Sequence, residues 1–199
     1  MSISIRLATE SDLGRIQEIY RPYVEETVLN SEYRVPSIDE LRERFETNTK
    51  NFPWVVCEID GVVAGYAYAS RPFRREGYKW NAELSVYTHS DYHGKGIALA
   101  LYNSIFELLT LQGYYNVYAC VLGGNEKSKR FHEKHGFSTV AVFPNIVHKH
   151  NKWIDVTWML KKLKEELISN PTEPISIWEL DKEIIEGIFE KNKGIIKGI

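Results

Sequence analysis

Apolar and polar residues alternate over Ile3-Ser4-Ile5-Arg6-Leu7, the period of a strand with one face in a core. The period then becomes helical. Leu13, Ile16, Ile19 and Tyr20 share one face, and Thr9 or Ser11 is placed to cap the start. Pro22 is expected to kink or interrupt this helix. Ser37, followed three residues on by Glu40, forms a capping box that opens a second helix through Leu41 and Phe45. Two strands, Trp54–Ile59 and Val62–Ser70, flank Asp60-Gly61, a pair that favours a two-residue hairpin turn. A further strand fits residues 80–89. Gly94 and Gly96 separate it from an apolar helix over 98–111, which Gln112-Gly113 ends. An apolar strand (115–122), the loop Gly123-Gly124-Asn125, a short helix (126–135) stopped by Gly136, and two last strands (137–143 and 153–161) complete the body.

The order is β-α-α-β-β-β-α-β-α-β-β. A helix crossing between two strands of one sheet implies an α/β (α+β) fold, with a mixed sheet and a parallel pair at its centre. The texture changes near residue 164. Residues 170–174 carry two prolines, and Ile177, Leu180, Ile184, Ile185 and Ile188 then recur at helical spacing over 177–189. The chain thus divides into a body (1–163) and a C-terminal helical tail (164–199). The tail is too short to bury a core of its own and is expected to pack on the body or on a partner subunit.

Composition narrows the functional classes. Hydrophobic residues make up 43% of the 199, enough for a sizeable core. The 25 basic and 27 acidic residues leave a formal net charge of −2, so a large basic face for nucleic acid is not expected. Cys57 and Cys120 lie in apolar runs and read as buried, reduced strand thiols; no Cys/His cluster suggests a metal. The N-terminus lacks a signal-peptide pattern, and no apolar run approaches the roughly 18 residues of a membrane span. A cytoplasmic protein is expected.

The segment 84–111 carries chemistry in its own right. A strand (Leu84-Ser85-Val86-Tyr87) leads into Gly94 and Gly96, which permit sharp turning and close backbone approach. The helix that follows points its unpaired N–H groups and positive dipole end back at the loop. Together they suit an anion such as a pyrophosphate, with Lys95 adding charge at the rim. A tight strand–helix turn with no ligand fits the same two glycines.

His93-Gly94-Lys95-Gly96-Ile97-Ala98 resembles the (Gln/Arg)-x-x-Gly-x-(Gly/Ala) loop of the GNAT N-acetyltransferases, with His93 in place of the usual Gln or Arg. A second signature follows at the family's distance: Asn125-x-x-Ser128-x-x-Phe131-His132-Glu133-Lys134-His135-Gly136-Phe137, with His132 where many members carry Tyr. Within the superfamily the chain is most similar to the phosphinothricin and methionine sulfone (sulfoximine) type. That similarity is carried by Tyr66-Ala67-Tyr68-Ala69, Tyr78-x-Trp80, Glu83-x-Ser85-Val86-Tyr87, Arg130-Phe131-His132-Glu133 and Lys149-His150-x-x-Trp153-x-Asp155-Val156, and it spans about residues 3–163. It implies a mixed, centrally splayed sheet flanked by helices, acetyl-CoA as donor, no metal, and a homodimer.

The resemblance also assigns roles. Glu83 becomes the general base, taking a proton from the acceptor ammonium directly or through water; on its own it reads first as an exposed strand glutamate, and the resemblance reverses that order. His132 protonates the departing thiolate, relays a proton, or is a helix histidine satisfied by a carbonyl. The cofactor set is Val86, Tyr87, Thr88, His93, Gly94, Lys95, Gly96, Ile97, Ala98, Asn125, Ser128 and Lys129. Near Val86 and Tyr87 the family's strand bulges and splays from its neighbour, freeing an N–H for the acetyl carbonyl. Asn125 also suits an N-cap. Arg74 and Arg75 are candidates to grip an acceptor carboxylate, with Tyr78, Lys149 and Trp153 lining the pocket. Phe73 and Ser31 replace a basic and an aromatic residue of the phosphinothricin type.

The expected activity is acetyl-CoA-dependent N-acetylation of a small amino-acid-like amine by direct attack in a ternary complex. Two alternatives stand beside it: a protein or peptide N-acetyltransferase, and a non-catalytic acyl-CoA-binding protein on the same fold. Aromatics at Phe73, Tyr78, Trp80 and Trp153 point to a small closed acceptor pocket.

Overall fold

A computed structural model describes residues 2–198. β1 (Ile3–Leu7) leads through a 3-10 turn into α1 (Leu13–Glu25), which runs on through Pro22 without the expected interruption. α2 (Ile38–Asn48) starts at the Ser37–Glu40 capping box, with the Glu40 N–H donating to Ser37 Oγ at 3.2 Å. β2 (Trp54–Ile59) and β3 (Val62–Ser70) turn through Asp60 and Gly61, whose φ values of 48° and 79° are the double left-handed step of a tight hairpin. β4 (Asn81–Thr88), α3 (Ile97–Gln112), β5 (Asn116–Leu122) and α4 (Glu126–Lys134) follow. β6 (Ser138–Lys149) and β7 (Lys152–Lys162) are longer than the sequence suggested.

The seven strands form one sheet in the order β1-β2-β3-β4-β5-β7-β6. Only β4 and β5 run parallel, and they pair through just three positions: Asn81–Asn116, Ala82–Val117 and Glu83–Tyr118. Beyond Glu83 the two strands part. β4 stays with β3 as far as Thr88–Gly65, and β5 stays with β7 as far as Leu122–Val156. The splay is therefore present, but the bulge expected on β4 is not: β3 and β4 pair residue for residue without a register shift. Some of the backbone groups left over by the parting find other partners. The Thr88 carbonyl, for one, accepts from the Tyr23 hydroxyl at 2.7 Å.

One face of the sheet packs against α1 and α2 through Leu13, Ile16, Ile19 and Phe45. The other packs against α3, in which Ala100, Leu101, Ile105, Leu108 and Leu109 are all fully buried. A helix so apolar on nearly every side needs cover on both flanks, and the tail supplies the second. It is not the continuous helix expected over 177–189. A 3-10 turn (Ile177–Glu179) comes first, and α5 (Lys182–Lys193) starts only after Asp181, whose carboxylate accepts from the Glu183 N–H at 2.7 Å. The tail runs antiparallel along α3: Ile175 N–H bonds Gln112 O at its end, Asn192 bonds Glu107 midway, and Ile195 lies beside Gly96 at its start. Ile177, Ile185, Ile188, Phe189 and Ile196 join the main core, whereas Ile184 faces solvent. The two-proline segment 170–174 is also tied down, with Trp80 Nε1 donating to Thr172 O at 2.8 Å.

This packing predicts that removing the tail is costly. Truncation after residue 168 uncovers the outer flank of α3 and should lower the melting temperature sharply or cause aggregation. Phe189→Ala alone should cost about 3–5 kcal/mol in urea unfolding. A truncated chain with an unchanged melting temperature would contradict the packing described.

Candidate active site

The loop after β4 is shaped by two glycines in the left-handed region, Gly94 (φ 79°) and Gly96 (φ 85°). α3 begins at Ile97, so the N–H groups of its first turn open onto this loop. A cavity of about 440 Å³ lies here. Of the residues expected to hold a cofactor, Val86, Thr88, His93, Gly94, Gly96, Ile97, Ala98, Asn125 and Ser128 all line it. His93 acts as a brace: its Nε2 is 3.1 Å from both the Tyr23 hydroxyl and the Thr88 carbonyl. Lys95 is not at the cavity. Its ammonium bonds the Gly198 carbonyl of the tail, because the loop turns that side chain outward. Lys129 does not line the cavity; Lys127, one turn before Phe131, lines it instead. Asn125 serves as N-cap, accepting from the Ser128 N–H at 3.1 Å, and faces the cavity as well.

A narrower cavity of about 100 Å³ continues from this one into the gap between β4 and β5. The two share Tyr23, Leu29, Val86, Asn125 and Ser128. Ladder parity defines what faces the gap. His89 N–H bonds Ala64 O at 2.9 Å, so the odd-numbered residues of β4 exchange bonds with β3. Leu84, Val86 and Thr88 turn their peptide groups the other way, and the Val86 N–H points into the gap. Tyr87 contributes through packing, its ring within 4.8–5.4 Å of Tyr20, Tyr23 and Tyr66.

Glu83 stands at the last paired position, where the gap opens, between Ser70 of β3 and Tyr118 of β5. It is half-buried, and burial raises its pKa above the ordinary carboxylate value; no bond to a neighbour opposes that shift. On the other side of the gap His132 is 5% exposed. Its Nδ1 lies 2.8 Å from Ser128 O, which can only accept, so Nδ1 carries the hydrogen. Nε2 is then the acceptor for the Tyr102 hydroxyl at 2.9 Å. Burial lowers the His132 pKa and raises that of Tyr102, so both are neutral at neutral pH. Cys120 also faces the gap and is exposed, which corrects its reading as a buried strand thiol. Its apolar surroundings, and secondarily the Glu83 carboxylate, push its pKa up to about 11.

The acceptor rim is more open than the aromatic residues suggested. Phe73 anchors the loop 71–78, stacking 5.4 Å from Trp158 and lying 5.8 Å from Tyr118, the neighbour of Glu83. Arg74 and Arg75 beside it are exposed, as is Tyr78, 5.0 Å from Phe73. Three expected wall residues lie elsewhere. Trp80 is tied to the tail. Trp153 is 65% exposed near the β6–β7 turn, beside His148, because β7 turns its side chain outward there. Lys149 is 1% exposed, and its ammonium bonds Asn30 O and Oδ1 at 3.2 and 3.1 Å. It therefore braces the segment that carries Leu29, and burial lowers its pKa.

Sequence reasoning missed Tyr23, Leu29, Tyr92, Phe131 and Tyr102. Phe131 shares a helix face with Asn125 and Ser128, a spacing that points to it. Tyr102 is a polar-tipped side chain in an apolar helix and so needs a partner, which is a weaker signal. Leu29 lies in a stretch with no periodicity. Among the described residues, no group of three or more His, Cys, Asp or Glu side chains could hold a metal ion.

Residues 5–158 match the family model described as Acetyltransferase (GNAT) domain. The chain is similar to the crystal structure of a phosphinothricin acetyltransferase from Sinorhizobium meliloti in complex with AcCoA, with a TM-score of 0.82 and 34% identity, covering 88% of this chain and 96% of that one. It is 32% identical to an L-methionine sulfoximine/L-methionine sulfone acetyltransferase of Pseudomonas aeruginosa, over 80% of this chain and 94% of the relative. It is 28% identical to a phosphinothricin N-acetyltransferase of Streptomyces viridochromogenes, over 87% of this chain and 95% of that protein.

The His132 geometry makes a spectroscopic prediction. Nitrogen-15 NMR should find a neutral His132 ring protonated on Nδ1 at pH 7, titrating below the ordinary histidine range. A ring protonated on Nε2, or charged at that pH, would contradict the Ser128–His132–Tyr102 chain.

Proposed function

The chain belongs to the GNAT acetyltransferases, and on that premise we propose that it carries the acetyl group of acetyl-CoA to the amino group of a small amino-acid-like acceptor. One observation carries the reading: the glycine-loop cavity continues into the β4–β5 gap, which opens just beyond Glu83, the last paired position of β4. The amides of residues 94–98 suit the pyrophosphate, and Asn125, Ser128 and Phe131 suit the arm that descends to the gap. Bound acetyl-CoA supplies the thioester carbonyl. The Val86 N–H then donates to the oxygen on which charge develops, as a preorganised dipole. Glu83 takes a proton from the acceptor ammonium, directly or through a water, because only the free amine can attack. The Tyr102 hydroxyl passes its proton to His132 Nε2 while taking one from the attacking nitrogen, and the same pair returns a proton to the departing sulfur. A depressed imidazole pKa suits that return.

Direct attack fits better than an acetyl-enzyme. Cys120 is the thiol that faces the gap, and with its pKa near 11 it is protonated at neutral pH and a poor nucleophile. Arg74 and Arg75, which form no ion pair among the described residues, are placed to hold an acceptor carboxylate, with Tyr78 and Phe73 beside them. Phe73 offers no charge to a phosphinyl anion, so a neutral sulfone suits the site better than phosphinothricin.

A homodimer belongs to the same reading, on a surface other than the tail. The tail's apolar residues are mostly consumed in the core. β6 instead exposes Val140, Val142, Phe143 and Ile146, each 43–57% exposed, an edge strand that a second copy would cover. The open rim favours a peptide amino group as a second reading. Both cysteines are free thiols, which fits a reducing compartment, and we place the reaction in the cytoplasm.

Thiol release with a panel of amines tests the proposal. Methionine sulfone and methionine sulfoximine should react faster than amines lacking the carboxylate, and faster than short peptides. Glu83→Gln should lose about 10²–10⁴ in kcat while still binding acetyl-CoA. Because Glu83 works as the carboxylate, kcat/KM should fall as pH is lowered through its raised pKa, above the ordinary carboxylate range. Equal rates for carboxylate-free amines would remove the arginine clamp, and normal turnover by Glu83→Gln would remove the base.

A further inference from the structure

The last residues of the tail lie against the glycine loop, in a part of the chain beyond the family match, which ends at residue 158. Three contacts fall on two neighbouring loop residues. The Lys197 N–H donates to the Lys95 carbonyl at 3.0 Å. The Lys95 ammonium donates to the Gly198 carbonyl. The Ile195 carbonyl fills the space beside Gly96, so close that a Cβ built there would stand 2.9 Å from its oxygen.

We propose that residues 195–198 are a working part of the acetyl-CoA site: they clamp the loop 93–98 in the shape its amides need to receive the pyrophosphate. This rests on the acetyl-CoA reading above and adds to it a positioning element that lies outside the family match.

The clamp is itself well anchored. Ile196 is 7% exposed and belongs to the main core. Just before it, Asn192 is 2% exposed, and its amide donates to Glu107 Oε1 at 2.9 Å and to Ile188 O at 3.0 Å. Lys191 reaches the other Glu107 oxygen at 2.9 Å. The tail is thereby fastened to the middle of α3 and delivers its end to that helix's N-terminus.

The loop needs such a partner. Gly94 and Gly96, both at positive φ, give the backbone the freedom to turn and also a large entropy to lose on ordering. A segment that orders the loop beforehand removes that cost from binding, so the gain appears as affinity. Gly96 is consequently under two constraints, its φ of 85° and the Ile195 carbonyl, whereas a Cβ on Gly94 would meet nothing within 4 Å. Substituting Gly96 therefore disturbs the tail as well as the phosphate approach.

The test compares Lys197→Pro, which removes the amide donor, with Lys197→Ala, which keeps it. Acetyl-CoA affinity is read by calorimetry, kcat at saturating acetyl-CoA by thiol release, and folding by thermal melting. Nitrogen-15 order parameters of residues 93–98 are followed in the ligand-free protein. The wild-type loop should be as rigid as the neighbouring strand β4 before any ligand is added. Lys197→Pro should lower those order parameters and weaken acetyl-CoA binding about three- to tenfold, the weight of one hydrogen bond, with kcat nearly unchanged. Lys197→Ala should behave as wild type. Wild-type affinity and order parameters in a folded Lys197→Pro protein would overturn the clamp. So would an equal loss in Lys197→Ala, which would assign the effect to side-chain charge. A mobile loop in the ligand-free wild type overturns the clamp without any variant, should Lys197→Pro not fold. A wild-type chain with a rigid loop and no affinity for acetyl-CoA would overturn the underlying reading, and the proposal with it.

Discussion

The short parallel pairing of β4 and β5 is the constraint on which the site depends. Three paired positions hold the halves of the sheet together, and the next residues diverge. A sheet that stayed closed would satisfy the Val86 peptide with a neighbour from β5 and leave no passage between the two faces. A sheet that never joined would not hold Glu83 beside Tyr118. The site lies where pairing stops, with the glycine loop at one end and the acceptor rim at the other. The freed groups are managed individually: Tyr23 and His93 occupy the Thr88 carbonyl, while the Val86 N–H remains turned to the gap.

The second constraint is α3. Its N-terminus forms part of the loop cavity, Tyr102 on its second turn reaches His132, and its apolar surface is too wide for one sheet face to cover. The tail solves the burial problem along the whole helix and then ends against the loop. The packing of the tail and the loop cavity thus share one helix, and the tail meets the loop through the Lys197 N–H, the Ile195 carbonyl and the Lys95 ammonium.

Much of this was legible in the residues. The Asp60-Gly61 pair marked the β2–β3 hairpin to the residue, and the loop from His93 to Ala98 with the Asn125–Phe137 block located the cavity. What failed did so for physical reasons. Pro22 gives up one N–H bond inside α1, but the helix continues beyond it, with the Glu26 N–H donating to Pro22 O at 3.0 Å, while Ile16, Ile19, Tyr20 and Val24 stay buried on its inner face. The splay is a divergence of whole strands and needs no bulge. Lys95 and Trp80 were read as site residues because a local motif says nothing about a tail that returns from 100 residues away. Trp153 and Lys149 belong to a hairpin whose facing depends on register. The α3 sequence did hold an unread signal: a helix apolar on nearly all sides implies a second covering layer.

The central claim is that the gap holds the thioester, with the Val86 N–H on its carbonyl. The amide resonance of Val86 in nitrogen-15 NMR tests this directly, by comparing acetyl-CoA with CoA. Both ligands should shift the amides of Gly94 to Ala98, since both carry the pyrophosphate. Only acetyl-CoA should shift the Val86 proton downfield and slow its exchange, since only acetyl-CoA brings a carbonyl oxygen. Equal responses of Val86 to both ligands, or none to either while the loop amides respond, would contradict the account.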